Sequence, residues 1–82
     1  MNLSTTRVYT LPHCVQCDAT KRWLDTRGID YETVDLTESP DDYEAVKALG
    51  YKSAPVVFVE DNVHWGGFNP NLLELHFGKK AA

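Results

Sequence analysis

The sequence predicts an α/β fold built on a small mixed sheet. Three observations predict it. Short β-branched and aromatic runs alternate with stretches of helical periodicity, in the order βαβαββα. Glycine or proline marks most of the junctions between them. The only two cysteines stand three positions apart, where the first apolar run gives way to the first helical stretch. Alternating strands and helices of this kind pack as layers around one core.

The elements follow in order. Arg7-Val8-Tyr9-Thr10 is short, β-branched and aromatic, and reads as strand one after a short lead-in over residues 1–5. Pro12 breaks it. Helix one is expected from Val15 to Arg27, with Cys17, Thr20 and Leu24 recurring at helical spacing and Ala19 beside Trp23. Gly28 suits the position just past the helix, and Ile29 supplies the apolar residue after it. Strand two is expected over Ile29 to Leu36, and a helical crossover makes it parallel to strand one in a right-handed unit. Ser39-Pro40-Asp41-Asp42 carries a capping residue, a first-turn proline and two acidic residues, which together predict a helix start. Tyr43, Val46 and Leu49 form its apolar stripe, and Gly50 and Tyr51 end it. Ser53 to Val59 is the most apolar strand. Glu60-Asp61-Asn62 is the expected turn, and Val63-His64-Trp65 the returning strand. Gly66-Gly67 interrupts it. Asn69-Pro70 then opens a short last helix carrying Leu72, Leu73, Leu75 and Phe77, with a frayed end from Gly78 onward.

At 82 residues the chain is expected to be a single domain spanning 1–82, with 43% hydrophobic residues to build a modest core. The net charge is −4 and no basic cluster occurs beyond Lys79-Lys80, which argues against nucleic acid and anionic membranes as partners. No apolar run is long enough to span a membrane, and residues 1–5 show no apolar signal core. A cytoplasmic monomer is expected.

Chemistry concentrates in Cys14-Val15-Gln16-Cys17. A thiolate, not a thiol, attacks a disulfide. A helix N-terminus offers unpaired N–H groups and the positive end of the dipole, which favour a negative sulfur. With the helix starting at Cys14 or Val15, Cys14 faces those donors and Cys17 sits one turn further in on nearly the same face. The roles expected are Cys14 as exposed nucleophile and Cys17 as resolving thiol. His13 is the nearest ionisable neighbour, although a solvated histidine satisfies the sequence as well. A structural disulfide closing so short a loop would constrain the unfolded chain very little. Zinc needs four ligands, and His13, His64 and His76 are scattered singly with no second cysteine pair. A reversible dithiol is the strongest reading of C-x-x-C beside a βαβ pattern.

Val8-Tyr9-Thr10, Cys14-Val15-Gln16-Cys17, Ala19-Thr20-Lys21, Arg27-Gly28, Ala54-Pro55-Val56-Val57 and Trp65-Gly66-Gly67-Phe68 followed by Pro70 together resemble the NrdH-type redoxins, glutaredoxin-like proteins of the thioredoxin superfamily. The resemblance runs from about Arg7 to Phe77. It implies a thioredoxin/glutaredoxin-like fold with a four-stranded mixed sheet flanked by three helices. It implies that Pro55 is a cis proline beside the dithiol, leaving the Ala54 backbone free to pair with an incoming extended peptide. Gly66 and Gly67 would let a chain approach closely. Trp65 and Phe68 would combine core packing with an apolar contact surface near Cys14, with Phe68 the one expected to be at least partly buried. Partner contacts are thus expected at His13, Val15, Gln16, Ala54, Pro55, Trp65, Gly66, Gly67 and Phe68.

The resemblance also implies a function. Electrons from NADPH would arrive through a flavin-dependent thioredoxin reductase and pass to the large subunit of class Ib ribonucleotide reductase, with no cofactor bound to the chain itself. Glutaredoxins that bind glutathione usually carry an acidic pair after Gly-Gly and basic residues near the cysteines. Here Phe68-Asn69-Pro70 follows Gly66-Gly67, and no lysine precedes His13-Cys14. Gly66 stands where a serine is common in the family and Asn69 where an arginine is common. The alternatives are a glutathione-dependent glutaredoxin, a general protein-disulfide reductant and, further off, an iron–sulfur or zinc-binding module.

Overall fold

A computed structural model describes residues 6–60 and 62–78. The lead-in over residues 1–5, the central turn residue Asp61 and the end beyond Gly78 lie outside the described residues. The element order is β1 (Arg7–Thr10), α1 (Val15–Thr26), β2 (Glu32–Asp35), α2 (Pro40–Ala48), β3 (Val56–Glu60), β4 (Val63–Gly66) and α3 (Pro70–Phe77). This is the predicted βαβαββα order. The four strands form one sheet in the order β2-β1-β3-β4. β1 runs parallel to β2 and antiparallel to β3, and β3 is antiparallel to β4, so the sheet is mixed.

Alternation along each strand sends side chains to two faces. On one face Val8, Val57 and Trp65 meet Leu24 of α1 and Leu73 and Phe77 of α3. On the other, Tyr9 and Val56 meet Leu36, just past β2, and Val46 of α2. Helices on both faces leave the strand ends, and the loops there, to carry the chemistry.

The end of α1 is built as expected. Gly28 takes φ 68°, its N–H donates to Asp25 O and the Ile29 N–H donates back to Leu24 O. Those two bonds satisfy carbonyls that the helix cannot pair itself. The same bonds explain a correction. Strand two does not begin at Ile29, because Ile29 belongs to the helix cap and Tyr31 leans back on α1, its hydroxyl donating to Asp25 Oδ1 at 2.9 Å. The ladder starts only at Glu32. Strand three likewise starts at Val56 rather than Ser53, after a proline that has no N–H to give the ladder. Ser39 stands at the start of α2 but makes no side-chain capping bond. Asn69 does cap α3, its side-chain oxygen accepting from the Leu72 N–H at 3.1 Å.

Candidate active site: the Cys14–Cys17 pair

β1 delivers the chain to one end of the sheet, and Pro12 and His13 turn it into α1. His13 is exposed and holds φ 61°, a left-handed conformation uncommon outside glycine. That turn places Cys14 at the N-cap of α1, a position usually held by serine, threonine, asparagine or aspartate. The cysteine sulfur serves as the capping acceptor in their place, and the Cys17 N–H donates to Cys14 Sγ at 3.0 Å. Cys14 and Cys17 are joined as a disulfide, with Cα atoms 5.2 Å apart. Cys14 is half-buried, whereas Cys17 is 1% exposed. A reagent can therefore reach the first sulfur and not the second.

The electrostatics follow from that geometry. When the bond is reduced, negative charge on Cys14 Sγ meets an N–H aimed at it and the positive end of α1. Asp18 is the one acidic side chain in the first turn of α1, and its carboxylate lies 3.7 Å from Lys21 Nζ. The Ala54 carbonyl oxygen lies 3.7 Å from Cys14 Sγ and offers an acceptor for the protonated thiol.

Pro55 is cis, as the resemblance implied, and buried beside the dithiol. Across the opening from α1, the Gly67 N–H donates to Pro55 O at 2.7 Å. Gly67 holds φ 83°, so a glycine is required there on conformational grounds. Gly66 has a different reason. A Cβ at that position would stand 3.0 Å from Tyr51 Cδ1, so the tyrosine ring already fills the space a serine would claim. Tyr51 is itself held, its hydroxyl 2.6 Å from His64 Nδ1. Burial pushes the Tyr51 phenol above its ordinary range, and the tautomer of the imidazole sets which of the two groups donates in that bond. His64 also stacks on Phe58, with centroids 4.6 Å apart.

The nine expected partner-contact residues divide. Val15 is 81% exposed beside Cys14, and His13, Gln16 and Gly66 are also exposed, with Ala54 and Gly67 half-buried around the disulfide. Trp65 is 7% exposed and packs in the core, stacked on His76. Phe68 is only half-buried, so the tryptophan is the more withdrawn of the pair. The reason is register: Trp65 pairs with Val57 and shares its face of the sheet, whereas Phe68 lies beyond the ladder. The carboxamide oxygen of Gln16 accepts from the Phe68 N–H at 2.9 Å, a contact across 52 residues that no sequence spacing announces. Nearby, a largely apolar hollow of about 160 Å³ lies between Leu11, Leu36, Tyr43, Val46 and Tyr51, with Lys47 and Lys52 at its edge.

Among the described residues no group of three or more His, Cys, Asp and Glu side chains is placed to hold a metal ion. His64 and His76 are occupied with Tyr51 and Trp65. No helix among the described residues is long and apolar enough to cross a membrane.

A C-x-x-C pair at a helix N-terminus, facing a cis proline on a four-stranded mixed sheet, defines a thiol–disulfide oxidoreductase of the thioredoxin-like fold. Comparison with known proteins makes the class narrower. The Glutaredoxin family model matches residues 7–65, and the chain belongs to that family as an NrdH-like member. It is 41% identical over 76 residues to the glutaredoxin-like protein NrdH of Escherichia coli K12, covering 92% of this chain and 93% of that one. It is 33% identical over 66 residues to NrdH of Lactococcus lactis IL1403, covering 80% and 90%. The solved structure of NrdH-redoxin from Escherichia coli superposes with a TM-score of 0.81 at 38% identity, over 85% of this chain and 91% of that one.

Proposed function

We propose that this chain is a dithiol electron carrier that takes electrons from NADPH through a flavin-dependent thioredoxin reductase and gives them to the large subunit of a class Ib ribonucleotide reductase. The observation that carries the reading is the asymmetry of the pair: a reachable Cys14 sulfur on the helix N-terminus and a buried Cys17 one turn behind it. Cys14 as thiolate attacks one sulfur of the partner's disulfide, and the other partner sulfur leaves as a thiolate. Cys17 gives up its proton and attacks Cys14 Sγ, releasing the second partner sulfur. The partner gains two electrons and two protons, and the Cys14–Cys17 disulfide is left to be reduced by thioredoxin reductase, with NADPH as the source.

The surrounding residues have roles in this scheme. The Ala54 backbone beside cis Pro55 receives the partner's extended chain. Val15 and Phe68 offer apolar contact, His13 flanks the nucleophile, and Gly66 and Gly67 keep the opposite rim low. Trp65 supports that rim from within the core. Two things favour thioredoxin reductase over glutathione as the electron source. The related NrdH-redoxin of Escherichia coli is described as having a thioredoxin-like activity profile. Here Phe68-Asn69-Pro70 after Gly67 offers no acidic side chain, and the Asn69 side-chain oxygen is engaged in capping α3.

The test is NADPH oxidation with a disulfide substrate and this protein as sole carrier. It is run once with thioredoxin reductase and once with glutathione plus glutathione reductase. Turnover with thioredoxin reductase alone is expected. Turnover with glutathione alone would make the protein a glutathione-dependent glutaredoxin and refute the proposed source.

A further inference from the structure

We infer that Gln16 is a positioning residue: by holding the Phe68 N–H, its carboxamide fixes the Gly67–Phe68 rim against the dithiol, so that exchange with a protein disulfide depends on it and exchange with a small disulfide does not. The inference rests on the dithiol chemistry proposed above and is independent of where the electrons come from.

The rim is a short segment pinned by two consecutive amides. The Gly67 N–H donates to Pro55 O at 2.7 Å, on the proline side of the opening. The Phe68 N–H donates to Gln16 Oε1 at 2.9 Å, on the α1 side. The oxygen must be the atom that faces Phe68, because the backbone group is a donor and only the carboxamide oxygen accepts. Among the described residues no other hydrogen bond ties the first turn of α1 to the segment from Gly66 to Asn69. The Gln16 backbone is itself fixed in the helix, its carbonyl accepting from Thr20 Oγ1 at 2.9 Å. The fit is close: a Cβ on Gly67 would stand 3.3 Å from Gln16 Oε1.

The bond lies at the surface and joins two elements that share few other ties. An exposed hydrogen bond contributes little to global stability, so its loss is felt locally. Without it the Phe68 N–H turns to water, and the rim keeps only the Gly67 bond to Pro55 O, so its Phe68 end is no longer fixed to α1. A partner chain laid between Ala54 and that rim would then have to order the rim as it binds, which lowers affinity and misplaces the attacking geometry. A small disulfide touches only Cys14 Sγ and meets none of this. Gln16 stands between Val15, 81% exposed, and Cys17, 1% exposed. Its side chain therefore shapes the partner's seat without touching the reacting sulfurs.

The test uses the full chain reduced with dithiothreitol, so no electron source is involved. Single-turnover rates are measured against insulin as protein disulfide and 5,5′-dithiobis(2-nitrobenzoate) as small disulfide. Gln16→Met keeps the length and loses the acceptor; Gln16→Glu keeps an oxygen at the same reach. The ratio of insulin rate to small-disulfide rate should fall about tenfold in Gln16→Met and recover in Gln16→Glu. The Phe68 amide should exchange slowly with solvent in the wild type and faster in Gln16→Met, with Val57 unchanged. An unchanged ratio, an equal fall in both rates, or no recovery with glutamate would each overturn the inference. So would a Phe68 amide that is unprotected in the wild-type protein. Failure of thioredoxin reductase to turn the protein over would overturn the proposed electron source and leave this inference standing.

Discussion

At the scale of single residues, the site is made by side chains taking on unusual duties. Cys14 caps a helix with its sulfur, and Tyr51 fills the space beside Gly66 while its hydroxyl pairs with His64. The cysteine duty is legible in the sequence, because C-x-x-C at a helix start has few other uses. The Tyr51–His64 pair is not, because a hydrogen bond between residues 13 apart in different elements leaves no periodic trace. Neither does the left-handed backbone of His13, where a glycine or asparagine would have been the usual sign. Tyr51→Phe should cost about 1 kcal/mol in denaturant unfolding by leaving His64 Nδ1 without its partner. A variant as stable as the wild type would show that the bond contributes nothing. Tyr31 gives a pH dependence. Burial first, then its bond to Asp25, pushes its phenol up to about 12 from 10.0. The folded protein therefore holds a proton that the unfolded chain has released. The stability this represents is complete below pH 10.0 and is lost as pH rises toward about 12. Tyr31→Phe should flatten part of the alkaline decline in unfolding free energy, and an identical decline in both proteins would contradict the assignment.

At the scale of elements, the order of strands and helices was readable because each junction carries its own chemistry. Gly28 and Ile29 close α1 with the two bonds their types suggest, and Asn69-Pro70 opens α3 with a cap the sequence advertises. The boundaries were less readable where a cap and a strand compete for the same residues. Ile29 has strand propensity, yet its N–H is taken by Leu24 O. Ser53 and Ala54 look like the start of a strand, yet the ladder begins only at Val56, after a proline with no N–H to give it. Ser39 shows the limit of reading caps by residue type: proline and two acidic residues in the first turn of α2 suffice, and the serine hydroxyl makes no capping bond. The packing of α1 on the sheet rests on Leu24, fully buried against Val8 and Val57. Leu24→Ala should destabilise the protein by about 2–5 kcal/mol in denaturant unfolding. A loss well under that range would mean that the core closes around the missing side chain.

At the scale of the whole molecule, the fold brings three distant segments to one end of the sheet: the C-x-x-C turn, the cis proline and the Gly-Gly rim. The resemblance in the sequence foretold that meeting in outline. It did not foretell which aromatic would be withdrawn, because burial of Trp65 depends on its pairing with Val57 and on His76 stacking over it. Nor did it show that Gln16 would be engaged by Phe68. The proposed role of the assembled site is to exchange electrons through Cys14 with Cys17 behind it, and trapping tests that most directly. Cys17→Ser and Cys14→Ser would each be mixed with the oxidised large subunit of a class Ib ribonucleotide reductase and analysed by intact mass. The account predicts a covalent adduct through Cys14 in Cys17→Ser and none in Cys14→Ser. An adduct formed only by Cys14→Ser, through the buried Cys17, would contradict it.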